Sequence, residues 1–369
     1  MTPPPPPGLP RRPCAGPAVW QGSEPTGWSV ELSQDHRAEL DTALRAVRAR
    51  ATPLLKVTTA EAALPLLAAE LTYAADELEH GRGFVLLRRL PVQRRSEADA
   101  ALLLWMVGQH LGVPVSQNTS GHMIGRLRDD PRDRSRRAFH TDPADVLALL
   151  CPGPDGSRRS VSLTSSAAVH NAVLSRRPDL FDGLGRTRFI DRRGEQPPGR
   201  LPWQAVRLAH RDGNRLSVRY DRDRLESARR FAHLPRPTAH DRELFDLIDS
   251  TASSPAFRLD VDLSPGDLLL LNNHAVLHSH AAPPSPSPPS PPRGRLVRLW
   301  LTPRRPRPLP VGFWGQEPSL AGGRGGVAPR DVITAHTPTT VTAPHTPTTP
   351  RSPHDRPVHA PGAVRPVTS

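Results

Sequence analysis

The chain has 369 residues and a formal charge of +13, from 49 Lys and Arg against 36 Asp and Glu. That length admits one large domain or two ordinary ones, with enough sequence for a sizeable buried core. Lys56 is the only lysine; the basicity is scattered arginine with no aromatic platforms interleaved, which disfavours a nucleic-acid-binding role.

Two cysteines, Cys14 and Cys151, give neither a disulfide framework nor a CxxC metal or redox signature. Arg11 and Arg12 have no apolar region behind them, and no run approaches the roughly 18 apolar residues of a membrane span. The expectation is a cytoplasmic protein with no membrane segment. The 46 prolines crowd into Thr2 to Pro13, Pro283 to Pro292 and the tail beyond Pro329. Composition therefore divides the chain into a disordered Pro-rich leader (1–16), a folded domain (17–328) interrupted by a Pro-rich loop (283–292), and a disordered Thr/Pro/His-rich tail (329–369).

Helical spacing begins after Leu32, with Leu40, Leu44 and Val47 on one face. A second helical stretch spans Thr59 to Leu78; Pro65 inside it allows the regular helix to start only there. Phe84 to Leu87 reads as a short buried strand, and Ser96 as the cap of a third helix ending at Leu111, on whose apolar face Trp105 falls. From there short strands dominate: Val113 to Asn118, Met123 to Leu127, Val146 to Cys151 and Ser160 to Leu163. A helix is expected over Ala167 to Ser175. A strand follows at Phe189, then a hairpin around Asp212-Gly213-Asn214. A helix over residues 239 to 252 precedes strands at Phe257 to Val261, Leu268 to Leu271 and Leu296 to Leu301. Helices first and strands later predict an α+β chain with a β-rich barrel or double-sheet core buttressed by helices.

The chemistry gathers in two places. In a strand, residues two apart share a face, so His140 and Asp142 can aim an imidazole and a carboxylate at one point. A third ligand from afar would complete a two-histidine, one-carboxylate face that leaves positions open for non-haem Fe(II). Three histidines follow the apolar Leu268 to Leu271: His274, His278 and His280. His274 and His278 can chelate zinc only from a helix, and Asn272-Asn273 is a poor helix entry that also lacks the Glu of HExxH. His278 and His280 share a strand face, so either can reach the metal. Gln117 and Asn118 are candidates for a pocket lining or for turn formation.

Around these residues the chain resembles the TauD/TfdA-like (taurine dioxygenase-like) Fe(II)/2-oxoglutarate-dependent dioxygenases. The resemblance runs from about Trp20 to Val327. It is carried by Gly81 to Pro91, Gly112 to Asn118, Phe139-His-Thr-Asp142 leading to Cys151, Ser165 to Asn171 and Arg176 to Leu180. Further matches are Pro265-Gly-Asp267, Asn272 to His278, Arg298-Leu-Trp-Leu301 and Arg324-Gly-Gly-Val327. The resemblance implies a double-stranded β-helix (jelly-roll) core, iron held by His140, Asp142 and His278, and O2 and 2-oxoglutarate consumed with a small-molecule substrate. It also implies an arginine near the last strand that pairs with the distal oxoglutarate carboxylate. The chain departs from the pattern there. The arginine usual four residues before Arg298 is replaced by Gly294, so Arg293, after a one-residue slip, or Arg298 itself is the expected anchor. Arg158-Arg159 also stands where the family often has Gly-Gly. These departures leave a non-catalytic binding or scaffold module as the alternative.

Overall fold

The computed structural model describes residues 9–22, 25–127, 138–153, 159–196, 199–280, 296–310, 312–314 and 324–329. The Pro-rich loop 283–292, Arg293, Gly294 and all but the first residue of the expected tail lie outside these. In chain order, the first elements are β1 (Ser29–Glu31), α1 (Gln34–Ala49), α2 (Ala68–Glu79), β2 (Phe84–Arg88), α3 (Glu97–Leu111), β3 (Gly112–Val115) and β4 (Ile124–Leu127). The middle holds β5 (Val146–Leu150), β6 (Arg159–Ser165), α4 (Ser166–Arg176), β7 (Thr187–Asp191), β8 (Trp203–Arg207), β9 (Ala209–Asp212) and β10 (Arg215–Val218). Then come α5 (Arg222–Ser227), α6 (Ala239–Ser253), β11 (Arg258–Leu263), β12 (Leu268–Asn272), β13 (Val276–Ser279) and β14 (Leu296–Pro303).

Two sheets carry the core. The larger runs β1-β2-β12-β5-β14-β3, with β4 also paired to β14, and the smaller runs β11-β6-β13. Strand alternation explains how they meet. Phe84, Leu86, Leu147, Leu149, Leu269 and Leu271 of the large sheet pack on Val161, Leu163, Val261, Leu263 and Val276 of the small one. The intervening residues Val85, Leu87, Ala148, Leu150, Leu268 and Leu270 join Leu40, Leu71 and Leu103 from α1, α2 and α3 in a second core. Because the central strands are covered on both faces, Leu268 to Leu271 is uninterruptedly apolar. On the far side of the small sheet, Leu277 packs with Val173 of α4 and Leu244 and Ile248 of α6. The result is the jelly-roll core with buttressing helices, and among the described residues no helix is long and apolar enough to cross a membrane.

Local differences from the expected elements have simple causes. The α2 helix begins at Ala68 rather than Thr59, since turns and Pro65 occupy the earlier residues. The three-residue β1, the half-exposed β8 and the polar six-residue α5 went unanticipated, being too short or too polar for a periodic signal. Residues 9–16 of the expected leader lie against the domain: Arg11 pairs with Asp182, and Cys14, 6% exposed, exchanges backbone hydrogen bonds with the Asn171 amide. These contacts are long-range, so proline content alone hides them. Both cysteines are buried free thiols.

Ser96 caps α3 as expected, its hydroxyl accepting from the Asp99 N–H while the Asp99 carboxylate accepts from the Ser96 N–H. Ser96→Ala is expected to cost about 1 kcal/mol, read as a lower denaturation midpoint at unchanged m-value. An unchanged midpoint would remove the cap from the account of α3.

Candidate metal centre

The segment after Ala138 is not the continuous strand that the His140/Asp142 spacing suggested. His140 alone pairs, in an isolated antiparallel bridge with His278 of β13. The two residues exchange both backbone bonds, each N–H donating to the other's carbonyl at 3.0 Å. Directly opposed residues put their side chains on one face, and the two imidazoles lie 4.4 Å apart between centroids. The parity of β13 then decides orientation. Val276 belongs to the core between the sheets and Leu277 to the outer one, so His278 points inward.

Asp142 enters the same space two residues on. Its Oδ1 is 3.8 Å from His140 Nε2 and its Oδ2 is 4.0 Å from His278 Nε2. One donor atom from each of the three side chains falls within a 4.8 Å cluster. The Asp142 N–H donates to Asn273 Oδ1 at 3.1 Å, and the carboxylate Oδ2 accepts from the Trp300 indole N–H at 2.8 Å. Arg298 Nη1 approaches the same oxygen at 3.4 Å. Burial opposes ionisation of Asp142, but the charge of Arg298, then His278 and His140, and last the Trp300 hydrogen bond outweigh it and hold its carboxyl well below the usual range.

The two imidazoles are held differently. His140 Nδ1 donates to the Ala138 carbonyl at 2.9 Å, which turns Nε2 towards Asp142. His278 is fully buried, and burial with His140 beside it pushes its imidazole well below its ordinary value. Neither of its ring nitrogens has a hydrogen-bond partner. A buried polar atom left unpaired costs roughly 1–3 kcal/mol. Two imidazole nitrogens and a carboxylate that converge in this way fit a divalent transition metal.

Other expected residues sort clearly. Arg298 faces inward on β14; it donates from Nε to Gln117 Oε1 at 2.7 Å and its guanidinium stacks 4.3 Å from the Trp300 ring. Gln117 in turn donates to the Arg298 and Met123 carbonyls. Asn118 is a turn former, its Oδ1 accepting from the Ser120 and His122 N–H groups. Trp105 is core, 3% exposed with its indole on the Val57 carbonyl. His274 is no ligand in this arrangement, for its Nε2 lies 2.6 Å from Asp145 Oδ1 and it sits in a turn rather than a helix. Arg324, which entered the sequence reading only through the Arg324-Gly-Gly-Val327 match, donates to Asp145 Oδ2 at 2.8 Å. Sequence reasoning gave no role to Trp300, Asn273 or Asp145. Strand parity with Arg298 could have found the first.

The description "Taurine catabolism dioxygenase TauD, TfdA family" matches residues 50–300. The chain belongs to the TauD/TfdA family. With that membership come Fe(II) as the metal and 2-oxoglutarate as the cosubstrate. Among TauD/TfdA relatives, an FR-33289 synthase of Streptomyces rubellomurinus is 25% identical over 328 residues, covering 83% of this chain and 96% of the relative. A taurine hydroxylase-like protein of Stachybotrys chartarum is 24% identical, covering 71% and 72% respectively. An asparagine oxygenase structure in complex with Fe(II), hydroxyasparagine and succinate superposes with a TM-score of 0.56 at 18% identity, over 74% of this chain and 93% of that one. The non-haem iron oxygenase OrfP, in complex with Fe, succinate and a dihydroxylated arginine, gives 0.52 at 16% identity over the same shares. These likenesses place the jelly-roll core within the fold of the TauD-like oxygenases.

Proposed function

We propose that the protein hydroxylates a carbon of a small molecule at a centre where His140, Asp142 and His278 hold Fe(II). The observation that carries this reading is the fully buried, unpartnered His278 imidazole, facing a carboxylate and a second imidazole inside the jelly roll. When bound, iron and 2-oxoglutarate supply the oxidising power: one O2 is split between the hydroxylated product and succinate, with release of CO2. The hydroxylated amino acids and succinate bound by asparagine oxygenase and OrfP support a small-molecule substrate.

The chain's own residues have separable tasks. The Ala138 carbonyl fixes the ring of His140 through Nδ1, and burial favours the neutral imidazole of His278. Asp142 remains ionised beside Arg298. Leu147, Leu149, Leu269 and Trp300 belong to the buried core between the sheets, an apolar setting that keeps water out. Arg298 is engaged with Asp142 and Gln117, against the metal ligand itself. We therefore assign the distal carboxylate of oxoglutarate to Arg293, and give Arg298 the nearer role of tuning Asp142.

Anaerobic addition of Fe(II) and 2-oxoglutarate is expected to give a weak visible charge-transfer band, lost in His140→Ala. Arg293→Ala should raise the oxoglutarate KM at least tenfold with a smaller change in kcat. No band in the wild type, or one unchanged in His140→Ala, defeats the metal assignment; an unchanged KM defeats that of Arg293.

A further inference from the structure

We propose that Trp300 is the positioning residue of this centre: its indole N–H reserves Oδ2 of Asp142 and leaves Oδ1 as the metal-facing oxygen. This rests on the assignment of His140, Asp142 and His278 as ligands.

A carboxylate torsion is broad and two-fold, so an aspartate without oriented partners presents either oxygen equally. Here the two oxygens differ. Oδ2 accepts from Trp300 Nε1 at 2.8 Å and lies 3.4 Å from Arg298 Nη1. Oδ1 takes no hydrogen bond among the described residues and lies 3.8 Å from His140 Nε2; Oδ2, although 4.0 Å from His278 Nε2, already has its donors. An indole N–H is a donor only, so it can hold an acceptor oxygen but never compete for the metal.

The donor is fixed by the fold. Trp300 is 3% exposed and pairs across β14 with Leu147 on one side and Val115 on the other. Its inward parity, shared with Leu296 and Arg298, is opposite to that of Val297, Leu299 and Leu301, which pack under the helices. Asn273 holds the other end of the residue through the Asp142 N–H. Arg298 alone is a poorer lock: 3.4 Å is long for a charge-assisted bond, and its guanidinium rests on the Trp300 ring. Trp300→Phe keeps an aromatic face under Arg298 and deletes only the donor.

The test titrates metal-free wild type, Trp300→Phe and His140→Ala with Co(II), a redox-stable probe, and follows visible absorption. Partners that orient ligands typically contribute about 10–100-fold in metal affinity; Trp300→Phe is expected to weaken Co(II) binding at least tenfold and to alter the absorption of the bound ion. Equal affinity and spectrum in wild type and Trp300→Phe overturn the proposal while leaving the ligands in place. Equal binding in wild type and His140→Ala instead overturns the ligand assignment, and the proposal with it. A second readout does not need the variant to fold. In uniformly 15N-labelled wild type, the Trp300 indole resonance is expected to shift as Zn(II) draws charge from Asp142. Its failure to move at saturating Zn(II) overturns the proposal equally.

Discussion

Replacing His278 with alanine is expected to abolish oxoglutarate turnover and to weaken Fe(II) binding by well over about 100-fold, beyond what loss of a supporting partner costs. The reason lies in the geometry of the bridge. His278 is locked to His140 by two backbone bonds, and its side chain is fully buried at the centre of the cluster. His274 cannot replace it, being tied to Asp145. His280 lies on the same strand face, its ring 5.4 Å from that of His278, so His280→Ala is the informative control and should retain metal. Stability adds a second signature. In metal-free protein the truncation leaves a cavity but also removes two unpartnered buried nitrogens, so the effects oppose one another. A metal at 100 times its Kd stabilises the native state by about 2.7 kcal/mol. Thermal unfolding should therefore show a Co(II)-dependent rise in Tm for wild type and His280→Ala, and none for His278→Ala. A rise retained in His278→Ala would return the third ligand to the other histidines.

How much of this was legible in the sequence depends on the range of the interaction. Elements written in a single periodic stretch were readable: the Leu40, Leu44, Val47 face of α1, the Ser96 cap, and the unbroken apolar β12. The carboxylate and first histidine were readable as a spaced pair, although for the wrong local reason. They share a face because His140 is bridged to β13, not because residues 140 to 142 continue a strand. The choice between His278 and His280 was not settled by parity, since both have the same parity. The proposed choice of His278 rests on which residue stands opposite His140, a matter of pairing register that one strand cannot encode by itself. The same limit hid Trp300 and Asn273, whose partner Asp142 is 158 and 131 residues away in the chain. Gln117 was readable as polar near a strand end; only the fold shows that it clasps Arg298. The buttress at Arg324 was masked by composition, for in a chain this rich in arginine one more beside Gly-Gly looks like surface.

That buttress leads to the largest stability effect expected outside the core. Arg324→Ala should destabilise the metal-free protein by about 2 kcal/mol at pH 7. Breaking a buried ion pair from one side typically costs about 3–5 kcal/mol; the value is reduced here because the Arg324 side chain is 27% exposed and water can partly replace it. The Asp145 side chain is only 3% exposed, with His274 and Trp314 on Oδ1 and Arg324 on Oδ2, so the variant leaves that second oxygen without its donor. The pH dependence identifies the source. Burial works against the Asp145 carboxylate, but His274 and Arg324 outweigh it and hold its pKa below the ordinary value. A depressed carboxylate adds stability that is fully present above the unfolded pKa of about 3.9 and is lost as pH falls through the lower native value. Without Arg324 the native pKa rises. The gap between wild type and variant should then be widest near neutrality and narrow as pH falls through 4, measured by chemical denaturation at a series of pH values. A gap independent of pH would assign the loss to packing of the segment itself: Gly326 donates to the Pro143 carbonyl, Val327 to that of Ser116, and a Cβ at Gly326 (φ +74) would meet the Ser116 oxygen at 2.6 Å. Pro143 follows Asp142 directly, and Ser116 precedes the glutamine that clasps Arg298. In either case the segment bears on both sides of the metal centre, and its loosening should lower Co(II) affinity together with stability.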